Sequence, residues 1–102
     1  MLNSKQRAWL RAKGNALESQ FQIGKGEVTE ALCRSLDEML STHELVKITV
    51  LKTAGDDVAD LAHALAASVG ADLVQVIGRR IVLYRLSEKL ERLGKSLPLP
   101  RS

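Results

Sequence analysis

The spacing between apolar residues alternates along the chain between the helical and the extended period, which predicts helices separated by strands. The helical spacings predict three helices. The first is capped by Ser4 and ends at about Ala16, and the second runs from near Val28 to His43. The third begins at Gly55-Asp56-Asp57 and stops at Gly70. Short β-branched and apolar runs predict four strands, at residues 21–23, 45–51, 73–77 and 81–85.

The predicted order of elements is α-β-α-β-α-β-β, an α/β fold in which helices partly cover a four-stranded mixed sheet. The last two strands are joined by Gly78-Arg79-Arg80, and a glycine at this place favours a type II′ hairpin turn. Both arginines then lie on a turn, where no packing is expected to depend on them. A single compact domain is expected to cover residues 1–86, and residues 87–102 are expected to form one helical turn and then a loose, basic tail.

Composition limits the class of protein. The chain has 102 residues, 45% of them apolar and 26% charged, which is typical of one globular domain. No apolar run approaches the ~18 residues that span a membrane, and the basic start of the chain lacks the pattern of a secretory signal. The single cysteine, Cys33, fits a reducing cytoplasm, so we expect a cytoplasmic location. One Trp, one Tyr and one Phe are too few for a platform on which bases stack.

Charge is segregated along the chain more strongly than its net value of +3 suggests. Basic residues are in excess before residue 26 and after residue 78, and acidic residues are in excess between them. A fold that brings the two ends together would therefore make one basic face, from which the acidic second helix is absent. The alternative is a solvated surface without a partner.

The run Gly24-Lys25-Gly26-Glu27 lies where the first predicted strand gives way to the second helix. Two glycines leave backbone N–H groups uncovered at a helix N-terminus, where the helix dipole attracts anions. A phosphate oxygen is the ligand that suits such a corner, with Lys25 adding a mobile positive charge. Glycine before a helix is also ordinary turn chemistry, so the loop by itself leaves both interpretations open.

Other kinds of site lack support in the sequence. His43 and His63 are not spaced as zinc ligands, and Cys33 lies beside the apolar stripe of the second helix with no visible base. The glycine run has neither the P-loop nor the dinucleotide-binding spacing. No acid–base pair converges, so we expect no catalysis, no cofactor, no metal site and no small-molecule substrate.

Four segments that occur in a fixed order along the chain are a more specific signal of family membership than any of these features. They are Lys5-Gln6-Arg7-Ala8-Trp9-Leu10-Arg11, Gln22-Ile23-Gly24-Lys25-Gly26, His43-Glu44-Leu45-Val46-Lys47-Ile48 and the run from Leu73 to Arg85. Together they resemble the CRM domain (chloroplast RNA splicing and ribosome maturation) in its stand-alone bacterial YhbY form, over residues 2–86. The resemblance implies a fold similar to the C-terminal domain of translation initiation factor 3. It also implies RNA binding and association with precursors of the large ribosomal subunit.

The resemblance suggests which residues contact RNA. Gly24, Lys25 and Gly26 would hold one phosphate, but the family loop usually has glycine where this chain has Glu27, whose bulk and charge would weaken that contact. Lys47 projects from the second predicted strand on the side opposite Val46 and Ile48, where it is either a contact or a solubilising residue on an open sheet face. Neighbouring phosphates would be contacted by Arg7, Arg11, Arg79, Arg80 and Arg85.

Two other functions remain open from the sequence. The first is a protein-interaction module that docks a partner through its acidic second helix or an open sheet face. The second is a small enzyme acting on phosphorylated substrates, which would need the acid–base pair that the sequence does not show. Salt dependence separates RNA binding from apolar docking, because only contacts with several phosphates weaken steeply as salt rises.

Overall fold

The computed structural model describes residues 2–24 and 29–100, and helices alternate with strands over this range as the sequence predicts. A 3₁₀ turn at Lys52–Ala54 is additional, and the short helix after the last strand agrees with the predicted helical turn. The elements are α1 (Ser4–Ala16), β1 (Phe21–Ile23), α2 (Glu30–His43), β2 (Leu45–Val50), α3 (Val58–Val69), β3 (Asp72–Ile77), β4 (Arg80–Tyr84) and α4 (Glu88–Arg92). None of the described helices is long and apolar enough to cross a membrane.

The four strands form one mixed sheet in the order β1-β2-β4-β3. β1 is parallel to β2, whereas β4 is antiparallel to both of its neighbours, β2 and β3. β2 and β3 therefore point the same way with β4 between them. The predicted α/β class and four-stranded mixed sheet are confirmed.

One face of the sheet packs against α2 and α3. Val46, Ile48 and Val50 of β2 point to this face, as their alternation predicts, and all three are buried. They pack with Leu36 and Leu40 of α2 and with the apolar stripe of α3. This larger core consists of Ile23, Leu36, Leu40, Val46, Ile48, Val50, Val58, Ala62, Leu65, Ala66, Val69, Ile81 and Leu83.

The other face of the sheet packs against α1, so each face of the sheet is covered at least in part by helix. Leu10 of α1 is completely buried in a second core with Leu45, Val74, Val82 and Tyr84. Gly14, one turn further along α1, lies against Val82, and a Cβ on this residue would be 3.0 Å from a Val82 methyl carbon. A glycine at this position therefore lets the end of α1 approach the sheet closely.

The helix ends differ from the sequence prediction in one cap. Asn3, rather than Ser4, caps α1, because its Oδ1 accepts from the Gln6 backbone N–H at 2.8 Å and Gln6 Oε1 accepts from the Asn3 N–H at 3.1 Å. Thr29 caps α2, and the predicted start at Val28 lies outside the described residues. Gly70 ends α3 in the left-handed conformation, as predicted.

The segment after β4 is held to the domain, whereas the sequence predicts a loose tail. The carboxylate of Glu44, which is completely buried, accepts hydrogen bonds from the backbone N–H groups of Ser87 and Leu97 at 2.8 and 2.7 Å. The Gln6 side chain donates to the Pro100 carbonyl at 3.1 Å, and Leu97 packs against the second core. The tail thus runs from the end of α2 to the start of α1.

Burial of Tyr84 predicts an unusual titration. Burial first, and then the negative charges of Glu44, Asp72 and Glu91, raises the pKa of Tyr84 from 10.0 to about 12. Because Tyr84 is the one tyrosine of the chain, absorbance of the tyrosinate ion during alkaline titration reports this group alone. We expect a midpoint near pH 12 in the folded protein and near pH 10 in denaturant.

The same titration makes stability depend on pH. The folded state favours the neutral phenol, so this contribution is complete below pH 10 and is lost as pH rises towards 12. Over that interval wild type is expected to lose roughly 1 to 3 kcal/mol more of its free energy of unfolding than Tyr84→Phe does. A folded-state midpoint near 10, with circular dichroism unchanged, would contradict this assignment.

Candidate nucleic-acid interface

The predicted glycine corner lies at one end of the sheet. Gly24 follows β1, and the position of a Cβ on it is 3.6 Å from Leu51 Cδ1 and 3.5 Å from Thr53 Oγ1. The corner is therefore next to the segment that leaves β2. Lys25 and Gly26, predicted to complete the phosphate site, and Glu27 lie outside the described residues, so these contacts stay a prediction.

The turn between β3 and β4 lies at the same end of the sheet. Gly78 has a φ of 57°, the sign that the first central residue of the predicted type II′ turn requires. The Arg79 carbonyl accepts from the Val50 N–H at 2.7 Å, so the turn lies beside the end of β2. Leu51, the next residue, also donates its N–H to the Ile23 carbonyl at 2.8 Å. β2 thus connects the turn to the glycine corner.

Arg79 is bonded inside the fold, so the expectation that no packing depends on it is wrong. Its guanidinium donates to the carbonyls of Val50 and Leu51, each at 2.8 Å, and to the carbonyl of Gly55. It also forms an ion pair with Asp56 at 3.4 Å. These bonds join the hairpin turn to the connection between β2 and α3.

Arg80, the next residue, points to the face of the sheet that α1 covers. Successive side chains of a strand alternate between faces, and Val82 and Tyr84 of β4 belong to the core beneath α1. Arg80 is exposed, and among the described residues its guanidinium has no hydrogen-bond or ion-pair partner. It is available to an external anion.

α1 places two further arginines along β3. Arg7 is half-buried and donates to the Leu73 carbonyl at 3.1 Å, whereas Arg11, one turn later, is exposed. One turn further on, Asn15 accepts from the Gln75 side chain at 2.9 Å. Arg11 therefore lies between two contacts with the edge strand. α1 has four basic residues, Lys5, Arg7, Arg11 and Lys13, and no acidic residue.

Lys47 lies beneath α1 rather than on an open face of the sheet. Its ammonium donates to the carbonyls of Gly14 and Leu17, both at 3.1 Å, and its side chain is partly buried. These carbonyls end α1, where a cation also opposes the negative end of the helix dipole. Lys47 thus positions the end of α1.

Arg85 is on the opposite face of the domain. Its guanidinium forms an ion pair with Asp37 of α2 and donates to the Val69 carbonyl at 2.8 Å and to Ser41 Oγ at 2.9 Å. It joins the acidic helix α2 to the end of α3. The prediction that the basic residues of both chain ends lie on one face is therefore wrong for Arg85.

Three of the predicted arginines do share a face. Arg7, Arg11 and Arg80 lie on the α1 side of the sheet, which we call the basic face. The acidic residues of α2, Glu30, Asp37 and Glu38, are exposed on the other side. Three residues that were not among the predicted contacts are brought into line with Arg80 by strand register. Thr49 and Ile77 pair with Arg80 directly, and Gln22 pairs with Thr49. The sequence alone does not indicate that these three residues lie in line with Arg80, because this depends on how the strands pair.

The described residues show few features of a metal site or of a small-molecule site. Within residues 2–24 and 29–100 there is no cavity, and no three His, Cys, Asp or Glu side chains are close enough to hold a metal ion. Cys33 is partly buried, with Sγ 3.3 Å from Ser68 Oγ. His43 is in the last turn of α2, as predicted, with Nδ1 2.8 Å from Thr42 Oγ1.

These features define a small α/β domain with one helix on one face of a mixed sheet, two on the other, and a basic face. A sequence profile of the CRS1 / YhbY (CRM) domain matches residues 2–85. The chain therefore belongs to the CRS1/YhbY (CRM) domain family, as the four motifs predict.

Similar proteins are known from several bacteria. The Bacillus subtilis protein named "Probable RNA-binding protein YqeI" is 39% identical over 100 residues, which cover 98% of this chain and 100% of the relative. A Haemophilus influenzae protein named "RNA-binding protein" is 29% identical over 100 residues, which cover 98% of this chain and 96% of the relative. The solution structure of the hypothetical protein SAV1595 from Staphylococcus aureus matches this fold with a TM-score of 0.77. The two sequences are 38% identical, and the match covers 98% of this chain and 100% of that chain. The fold and the family are thus supported over almost the whole chain.

Proposed function

We propose that this protein binds structured RNA by contacting its phosphates, and that it assists assembly of the large ribosomal subunit without catalysing a reaction. RNA binding is supported by the family and by the names of its relatives. The ribosomal target rests on what the CRM resemblance implies. The proposal rests on the exposure of Arg11, in a helix without acidic residues, and of Arg80 on the same face of the sheet.

The residues of the basic face differ in their roles in this proposal. Arg11 and Arg80 contact phosphates directly, since they are exposed and have no partner among the described residues. Gly24 belongs to the proposed phosphate corner with Lys25 and Gly26, at the same end of the sheet as Arg80. Phosphate contacts fix register on the RNA and contain no sequence information, so discrimination by these groups is modest.

The remaining predicted cations act mainly by holding that surface in place. Arg7 bonds α1 to β3, Lys47 bonds the end of α1 to β2, and Arg79 bonds the hairpin to the connection before α3. Arg85 joins α2 to the end of α3 on the opposite face, so its role is also to hold elements of the fold together. A guanidinium that already donates to carbonyls has fewer N–H groups left for phosphate.

A salt titration tests the direct contact. Arg11→Ala is expected to flatten the slope of log affinity against log salt by roughly 0.7 to 0.9 units, because one phosphate contact is lost. The loss is expected to be similar on two structured RNAs of unrelated sequence. Arg34→Ala is the matched control, since Arg34 is also exposed but lies on α2, where its partner is Glu30.

Three outcomes would count against RNA contact through this face. Equal slopes for wild type and Arg11→Ala would remove Arg11 from the interface, and an equal change for Arg34→Ala would reduce the effect to net charge. Wild-type affinity that is insensitive to salt would favour a protein-interaction module instead. For the ribosomal target, a tagged protein is expected to co-migrate with large-subunit precursors on a sucrose gradient of cell lysate. Its absence from every ribosomal fraction would contradict that target.

A further inference from the structure

The α1 side of the sheet consists of three rows of paired side chains, and α1 covers two of them. The first row includes Leu45 and Tyr84, and the second includes Lys47 and Val82. α1 reaches the second row through Gly14, which contacts Val82 and accepts from Lys47. The helix ends two residues later, at Ala16. The third row lies beyond the end of the helix, and its Thr49 donates to Ser19 Oγ, in the segment that follows α1, at 2.6 Å.

This third row crosses all four strands at the end of the sheet that holds the glycine corner. Gln22 of β1 pairs with Thr49 of β2, Thr49 pairs with Arg80 of β4, and Arg80 pairs with Ile77 of β3. All four side chains point to the α1 side, because the alternate residues of each strand belong to the opposite core. We call Gln22, Thr49, Arg80 and Ile77 the end row.

The chemistry of the end row is unusual for solvated sheet surface. Ile77 is 56% exposed and lies on the edge strand, directly beside the exposed guanidinium of Arg80. Leu51, which follows β2 and lies next to Gly24, is 40% exposed. The row has no acidic residue. Ile77 and Arg80 are paired across neighbouring strands, which lie about 5 Å apart, so an apolar side chain and a planar cation are adjacent at this edge of the sheet.

We propose that Ile77 and Arg80 bind one unpaired base of the RNA. Base faces are apolar and stack on guanidinium planes, and a base is available for this contact only where the RNA is unpaired. A phosphate of the same nucleotide balances the charge of Arg80. A duplex offers the row phosphates but no base face. The inference rests on the RNA binding proposed above and adds to it a preference for RNA with unpaired nucleotides.

Ile77→Ala separates this contact from phosphate binding. The probes are a hairpin RNA with an unpaired loop and a blunt duplex with the same number of phosphates. Ile77→Ala is expected to lower affinity for the hairpin by roughly three- to tenfold, because the apolar contact with one base face is lost, and to leave its salt slope unchanged. Affinity for the duplex is expected to stay at the wild-type value.

The matched control is Leu93→Ala, since Leu93 is 57% exposed but follows α4, which contacts α2 on the far side of the domain. It is expected to leave binding to both RNAs unchanged. Arg80→Ala is expected to weaken both RNAs and to remove the preference for the hairpin. Ile77→Val retains an apolar side chain and is expected to bind like wild type, and circular dichroism checks the fold of each variant.

Each other outcome has a distinct meaning. If Ile77→Ala binds both RNAs like wild type, or loses affinity equally for both, the base contact is wrong while RNA binding stands. If wild type prefers the duplex, the base contact is also wrong. If wild type binds neither RNA at low salt, the proposed function fails and the base contact fails with it.

Discussion

Replacing Glu44 with alanine is expected to lower the free energy of unfolding by about 3 kcal/mol. The side chain is completely buried at the end of α2, and three donors form hydrogen bonds to its carboxylate. The donors are the N–H groups of Ser87 and Leu97 and the hydroxyl of Ser96, which bonds to both oxygens. Alanine would leave these groups without their acceptor inside the protein.

Chemical denaturation followed by circular dichroism measures the effect. Glu38→Ala removes the same charge from an exposed position of α2 and is expected to change stability by about 0.5 kcal/mol or less. Glu44→Gly tests the backbone separately, because Glu44 has a φ of 64°, which glycine adopts without strain. It is expected to be about 1 kcal/mol more stable than Glu44→Ala.

The tail provides a second measurement of the same contact. Because Glu44 holds Ser87, Ser96 and Leu97, its loss is expected to free the segment after β4 and to expose it to limited proteolysis. Stability within 1 kcal/mol of wild type, together with an intact tail, would mean that water or other groups replace the carboxylate.

Arg79 and Arg80 are expected to give opposite results although they are adjacent and chemically identical. Arg79→Ala is expected to lower the free energy of unfolding by about 2 kcal/mol, since three carbonyls, of Val50, Leu51 and Gly55, lose a charged donor. Arg80→Ala is expected to change stability by about 0.5 kcal/mol or less, because its side chain is exposed and has no partner among the described residues.

RNA binding is expected to reverse this order. Arg80→Ala removes a phosphate contact and is expected to flatten the salt slope by roughly 0.7 to 0.9 units. Arg79→Ala, measured well below its melting temperature, is expected to keep the wild-type slope. The two alanine variants have the same net charge, so each is the control for the other. Similar results for both in the two assays would contradict the assignment of one to the fold and the other to RNA.

The element order and several local features were predictable because they follow from neighbouring residues. The alternation of Val46, Ile48 and Val50 indicates which side of β2 is buried, and Gly70 and Gly78 mark the end of α3 and the hairpin turn. Helical and extended periods, helix stops and turns depend on a few adjacent residues, so the sequence contains them directly. The excess of basic residues in α1 is likewise visible without a structure.

The roles of individual cations were not predictable from the same patterns. Lys47, Arg79 and Arg85 look like exposed charge in the sequence, yet each donates to carbonyls of segments far along the chain. No local signal distinguishes Arg79 from Arg80, because the difference depends on which side of β4 each residue leaves and on what lies there. Glu44 was missed for a similar reason, since its donors come from residues 87–97.

By itself the sequence determined the order of helices and strands, the buried side of β2, the basic α1 and membership of the family. The tertiary structure decided which cations remain exposed, where the tail binds, and that Gln22, Thr49, Arg80 and Ile77 form one row. The physical reason is the range of the interactions. Periodicity acts over one or two turns, whereas strand register and the docking of α1 join residues that are tens of positions apart.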